Sequence, residues 1–182
     1  MQSNLKVVII FGSKSDLQAL AKADYKAKQY FQELCFEVSI SFASAHRNPE
    51  ELEAFLKRCW SEGIRYYVAV AGMAAHLAGK IASTLRCAVV YAVPIASDNF
   101  GVIDALTGSL QMPPLVPVRT MTPGKVGLDQ TPICLAQDIA VFNTEISGRL
   151  KAFFEGHNIK AQFDMSWEEA EANAVAGVNK MT

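Results

Sequence analysis

The sequence predicts an α/β fold, a three-layer α/β/α sandwich with a mostly parallel sheet. Short runs of β-branched and aromatic residues, too short for helices, recur along the chain and are closed by glycine, proline or polar turns. Longer helix-patterned stretches lie between them. Strands that alternate with helices pair in parallel through right-handed crossovers, which places helices on both faces of one sheet.

The first run, Val7 to Phe11, is uninterrupted and closed by Gly12, as suits a strand buried on both faces. A helix from about Asp16 to Leu34 follows it, and Glu37 to Phe42 forms the second strand. Pro49 then takes a first-turn position of a helix over Glu50 to Glu62, whose two leading glutamates favour its N-terminus. Tyr66 to Ala71 is the third strand, broken by Gly72 and followed by a small-residue helix from Ala74 to Ser83. Ala88 to Val93 is the fourth, ended by Pro94, and Val116 to Met121 is a weaker fifth. A long helix is expected from Thr131 to about Phe154, with Pro132 at its start. The tetrad Ser166-Trp167-Glu168-Glu169 has the form of a capping box for a last short helix, and Trp167, Ala170 and Ala174 recur at helical spacing.

The 182 residues fit one domain, with a core over 5–155 and a helical tail over 156–182. Hydrophobic residues make up 51% and charged residues 19%, a globular balance, and no run reaches the ~20 apolar residues that a bilayer crossing needs. A net charge of -1 provides no general attraction for nucleic acid or anionic membrane, so any anion site must be local. Cys35, Cys59, Cys87 and Cys134 are widely spaced among apolar neighbours and read as reduced, structural thiols. The first residues lack the pattern of a secretory signal, so a cytoplasmic location is expected.

In an open parallel sheet, ligands bind beyond the carboxyl ends of the strands. Three loops expected there carry unusual chemistry. Gly12-Ser13-Lys14-Ser15-Asp16 offers hydroxyls and helix N–H groups for a phosphate and a carboxylate for sugar hydroxyls, although Ser13 or Ser15 could equally be a simple helix cap. Ser44-Ala45-His46-Arg47-Asn48-Pro49 sets a proton-transferring ring beside a fixed positive charge able to clamp phosphate or carboxylate. Ala71-Gly72-Met73-Ala74-Ala75-His76-Leu77-Ala78-Gly79 lets a flat ligand approach the backbone, and its small residues would also serve close helix-on-sheet packing. His46 and His76 lie on different loops, no cysteine joins them and only Asp16 offers a carboxylate on a nearby loop, so no metal site is expected. His157 reads as a surface residue.

Taken in order, "GSKSD" at 12–16, "SAHRNP" at 44–49, "AGMAAHLAG" at 71–79 and "QMPPLVPV" at 111–118 resemble the N5-carboxyaminoimidazole ribonucleotide mutase family of bacterial purine biosynthesis. The resemblance covers about residues 5–155. It implies a flavodoxin-like subunit, a homo-octamer with sites where subunits meet, a ribonucleotide substrate, and chemistry without metal, ATP or cofactor. By position, Ser13, Asp16, Ser44 and Arg47 match substrate-binding residues and His46 matches the catalytic acid/base. Gly72, Met73, Ala74, His76 and Leu77 match the loop around the imidazole and its carboxyl group, and Met73, Ala74 and Ala75 are expected to line an apolar pocket for CO2. A related class joins free CO2 to aminoimidazole ribonucleotide directly; a non-catalytic nucleotide-binding homologue is a further alternative. The chain departs from the family where Ala78 replaces a proline, where Gly108 replaces a serine, with one extra residue between Gly101 and Asp104, and over Gly127 to Cys134, where an asparagine is missing. Those changes are expected to bear on subunit packing and part of the pocket wall.

Overall fold

The computed structural model describes residues 5–21, 25–73, 75–97, 101–157, 166 and 168. The expected helix at 166–169 and the stripe of Trp167, Ala170 and Ala174 fall outside these residues, Ser166 and Glu168 apart. The described chain runs β1 (Lys6–Phe11), α1 (Lys14–Ala21), α2 (Ala27–Glu33), β2 (Glu37–Phe42), α3 (Pro49–Ser61), β3 (Tyr66–Ala71), α4 (Leu77–Thr84), β4 (Val89–Pro94), α5 (Ile103–Leu110), β5 (Arg119–Thr120), α6 (Lys125–Ala140) and α7 (Thr144–Gly156).

All strand pairs are parallel, in the order β2-β1-β3-β4-β5. This is the flavodoxin-like order, whose reversal of direction between β1 and β3 opens a crevice at the strand ends. Successive β1 side chains point to opposite faces and are buried on both. Val7, Ile9 and Phe11 join Val68, Val70, Tyr91 and Val93 beneath α1, α2, α6 and α7. Val8 and Ile10 join Tyr67, Ala69, Val90 and Ala92 beneath α3, α4 and α5. Each fully buried aliphatic side chain of this kind contributes roughly 1.5–3 kcal/mol. Three layers therefore follow directly from continuous apolar strands.

Several expected boundaries move. The first helix is two segments, α1 and α2, and β5 is only two residues long because Pro114 and Pro117 can donate no ladder hydrogen bond and Leu115 takes a positive φ of 73°. The segment at 103–110, for which no helix is expected, is α5. The long helix expected from Thr131 begins earlier, at Lys125, and ends at Ala140, so Pro132 sits inside α6 and not at its start. Burial of Gly127, Leu128 and Thr131 outweighs the preference of proline for a first turn. A separate α7 starts after Asn143, whose side chain accepts from the Glu145 and Ile146 N–H groups at 3.1 Å each.

The carboxylate of Asp129 on α6 accepts from the N–H groups of Lys26 (2.5 Å) and Ala27 (2.7 Å), capping α2 from another element, and also pairs with Lys125 at 2.6 Å. All four cysteines are free thiols; Cys59 is buried, but Cys87 is exposed, unlike the small hydrophobe expected there. Burial pushes the Cys59 and Cys134 thiols up. His157 is exposed, as expected, and it also stacks on Phe153 with ring centroids 4.3 Å apart and lies 3.5 Å from Glu33, linking the end of α7 to α2. Among the described residues no helix is long and apolar enough to cross a membrane.

Candidate active site

The loops after β1, β2 and β3 converge at the β1/β3 crevice around a cavity of about 460 Å³. Its lining includes Ser13, Asp16, Ser44, His46, Arg47, Gly72, Met73, His76 and Leu77, which sequence reading singles out from three separate stretches. A shallower hollow of about 520 Å³ shares Ser13, Ser44 and Arg47 with it and adds Lys14 and Asn48. Ala74 lies outside the described residues. Ala75, expected to line a pocket for CO2, is buried in the core beneath α4.

Gly12 ends β1 by donating to the Val70 carbonyl at 2.9 Å, and a Cβ there would lie 3.0 Å from an Asp16 carboxylate oxygen. The Ser13 hydroxyl accepts weakly from the Asp16 N–H at 3.3 Å and lies 2.6 Å from the Ser15 hydroxyl. Ser13 is thus a helix cap and a cavity-lining hydroxyl at once. Burial pushes the Asp16 carboxyl up, partly offset by its hydrogen bonds to Ser13 and by the Arg47 charge.

The second loop is held by Ser44. Its hydroxyl accepts from the His46 and Arg47 N–H groups at 3.3 Å, and its own N–H donates to the Asn48 side chain at 2.7 Å. Asn48, whose place before Pro49 marks it as a helix-start residue, folds back onto the loop in place of capping α3. Arg47 donates to the Gly12 carbonyl at 3.2 Å, which joins the first two loops and leaves further guanidinium N–H groups for an anion.

In the third loop, a Cβ on Gly72 would stand 3.1 Å from the Ile95 carbonyl, so only glycine fits without displacement. Met73 follows with a φ of 55°, a left-handed conformation that costs a bulky residue roughly 1–3 kcal/mol. His76 then opens α4. Its Nδ1 lies 2.9 Å from His46 Nε2, with the ring centroids 5.0 Å apart and the planes inclined by 70°. No sequence signal pairs two residues on separate loops in this way. Glu53 binds Lys57 at 2.8 Å and Lys80 at 2.9 Å, and the second contact braces α3, which follows the His46 loop, against α4, which His76 opens.

Among the described residues, no group of three or more His, Cys, Asp or Glu side chains could hold a metal ion. A separate apolar cavity of about 300 Å³ lies between α2 and β2, lined by Ile9, Phe31, Phe36, Ile40 and Leu128 among others, away from these reactive groups.

The profile of the family described as AIR carboxylase matches residues 6–159, a span that includes all three loops. The chain belongs to the AIR carboxylase family. Within this family it is 32% identical over 155 residues to the N5-carboxyaminoimidazole ribonucleotide mutase of Haemophilus influenzae, covering 85% of this chain and 92% of the relative. It is 32% identical to the Escherichia coli protein of the same name, covering 94% and 95% of the two chains. The mutase of Methanocaldococcus jannaschii is 43% identical over 68% of this chain and 70% of its own. The crystal structure of Treponema denticola PurE shares the fold, with a TM-score of 0.70 at 24% identity over 85% of this chain and 92% of that one.

The departures of this AIR carboxylase family chain fall mostly away from the cavity. None of residues 127–134 lines it within this chain; they lie in α6, where Gly127, Leu128, Thr131 and Pro132 are buried. Gly79, beside Ala78, lets the Met112 sulfur approach to 3.2 Å of where a Cβ would be, which seats the "QMP" segment against α4. Gly108, within α5, faces the Ala75 backbone, whose nitrogen would lie 3.8 Å from an added Cβ.

Proposed function

We propose that this chain is an N5-carboxyaminoimidazole ribonucleotide mutase, an isomerase of purine biosynthesis that moves the carboxyl group from the exocyclic nitrogen to carbon 4 of the aminoimidazole. The observation that carries the reading is the convergence of His46, Arg47, Ser13, Asp16, Gly72, Met73, His76 and Leu77 on one cavity. Ser13, Ser44 and Arg47 hold the phosphate, and Asp16 accepts from the ribose hydroxyls. The backbone at Gly72, Met73, His76 and Leu77 lies along the ring, with Met73 supplying the apolar wall beside the migrating group.

His46 is the acid and base. As imidazolium it gives a proton to the exocyclic nitrogen while the N–carboxyl bond breaks, its electron pair stays on nitrogen and CO2 departs. Carbon 4 attacks the retained CO2, and neutral His46 then takes the proton from that carbon. One proton leaves the ring and one returns, so a single group serves both half-steps without metal or ATP. Water must be excluded from the CO2 while it is free, and the exposed Met73 side chain suits a wall completed by a neighbouring subunit. A cytoplasmic homo-octamer, one domain per chain, fits that need.

The family description favours a second reading, direct carboxylation of aminoimidazole ribonucleotide by free CO2. Freshly made substrate with a 13C carboxyl group, incubated in chelated, ATP-free buffer containing unlabelled bicarbonate, separates the two. Mutase action retains the label in the carbon-carboxylated product, whereas carboxylation dilutes it to the level of the bulk bicarbonate.

A further inference from the structure

The mutase reading requires one nitrogen of His46 to give a proton and later take one back, and the contact between His46 and His76 bears on which nitrogen that is. Two imidazoles joined at 2.9 Å must divide their roles, one donating and one accepting. Charged His46 carries a proton on each nitrogen, so in the acid form Nε2–H donates and His76 Nδ1 accepts. His76 is then the neutral ring, with its own proton on Nε2. His46 Nδ1 has no protein partner within hydrogen-bond reach among the described residues, and it is the atom left for substrate.

Resting on that reading, we propose that His76 is a positioning residue that holds His46 with its proton on Nε2, so that Nδ1 alone gives and takes the migrating proton. After Nδ1 has protonated the exocyclic nitrogen, the Nε2–H···Nδ1 bond keeps the remaining proton in place. The Nδ1 lone pair then faces carbon 4 without ring rotation. A tautomer set by a partner of the second nitrogen is a general device in histidine chemistry. Here the partner is a neutral ring, so His46 becomes neutral again without leaving a buried carboxylate behind. The placement of both rings supports this role: His46 follows the Ser44 turn that leads into α3, His76 opens α4, and the Glu53 to Lys80 contact braces those helices. The other charged side chains lining the cavity are Asp16 and Arg47, and neither is bonded to either ring.

Three proteins test the proposal: wild type, His76→Leu and His76→Asn. The asparagine oxygen can occupy the place of the imidazole Nδ1 as an acceptor, whereas leucine cannot. In His76→Leu, kcat falls about 10- to 100-fold, part of the 10²–10⁴-fold that general acid–base catalysis supplies, with KM nearly constant. His76→Asn restores most of that loss. Nitrogen-15 spectra in alkaline buffer show His46 as the Nε2–H tautomer in wild type and His76→Asn, and as a mixture in His76→Leu. A raised KM at unchanged kcat would make His76 a substrate contact and overturn the proposal, as would identical His46 tautomers in all three proteins. Inactive wild type would instead defeat the mutase reading, while the tautomer spectra still decide the role of the ring pair.

Discussion

Replacing Gly127 by alanine tests the packing of α6 with a matched control on α7. A Cβ at Gly127 would fall deep inside the Thr122 carbonyl oxygen, 2.8 Å from the Thr122 carbonyl carbon and 3.2 Å from Met121 Cβ. The obstacle is main chain, which cannot rotate aside. Helix α6 would have to lift, disturbing Leu128, Leu135 and Ile139, all buried against the sheet. Overpacking typically costs about 1–3 kcal/mol, and a backbone obstacle belongs at the upper end. Alanine returns about 1 kcal/mol of helix propensity, leaving a net loss near 2 kcal/mol. At roughly 2–4 °C per kcal/mol for a chain of this size, Tm falls by about 4–8 °C. Gly148 lies within α7 with nothing within 4 Å of its would-be Cβ. Gly148→Ala therefore gains up to about 1 kcal/mol and raises Tm. Thermal and urea unfolding of both variants beside wild type is the assay. If both substitutions shift stability in the same direction, close packing of α6 on Thr122 is not what selects glycine.

Asp129→Ala removes the cap of α2 and is expected to cost about 1–2 kcal/mol in urea unfolding, with Asp129→Asn recovering part of the loss because its amide oxygen still accepts. Asp16→Asn is expected to raise Tm at neutral pH while weakening nucleotide binding. The sign follows from the upward-shifted carboxyl: the native state keeps its proton above the ordinary aspartate value of 3.8, so ionisation works against folding as pH rises through that window. The stability gain of Asp16→Asn should therefore shrink as the pH is lowered through the window, and a gain independent of pH would contradict it. Glu53→Gln should leave KM close to wild type and reduce kcat modestly, about 2- to 5-fold, by loosening α3 against α4; an unchanged kcat would remove the brace from the account.

The first four strands were legible because Val7 to Phe11, Glu37 to Phe42, Tyr66 to Ala71 and the run ending at Pro94 each join β-rich composition to a clear stop. Helix boundaries were less legible. Ile139 to Phe142 continues an apolar pattern across the end of α6, and the break shows only in the Asn143 cap, a signal present in the sequence but masked by hydrophobic periodicity. α5 is not legible in the sequence because Thr107, Gly108 and Ser109 are weak helix formers that tertiary packing overrides. At the site, which loops meet could be read from strand order, since every loop follows the carboxyl end of a strand. The contacts between loops could not be read so. The bond from Arg47 to the Gly12 carbonyl, the His46 to His76 contact and the Asp129 cap all join residues distant in sequence, and depend on where the sheet places them.

Both proton transfers fall to one ring, and the most direct measurement compares wild type with His46→Asn on freshly prepared N5-carboxyaminoimidazole ribonucleotide, following product formation and nucleotide binding together. The expected result is conversion by wild type and, in the variant, binding within a few-fold of wild type with turnover reduced about 10²- to 10⁴-fold. Turnover by His46→Asn close to wild type would contradict the assignment of His46 as acid and base.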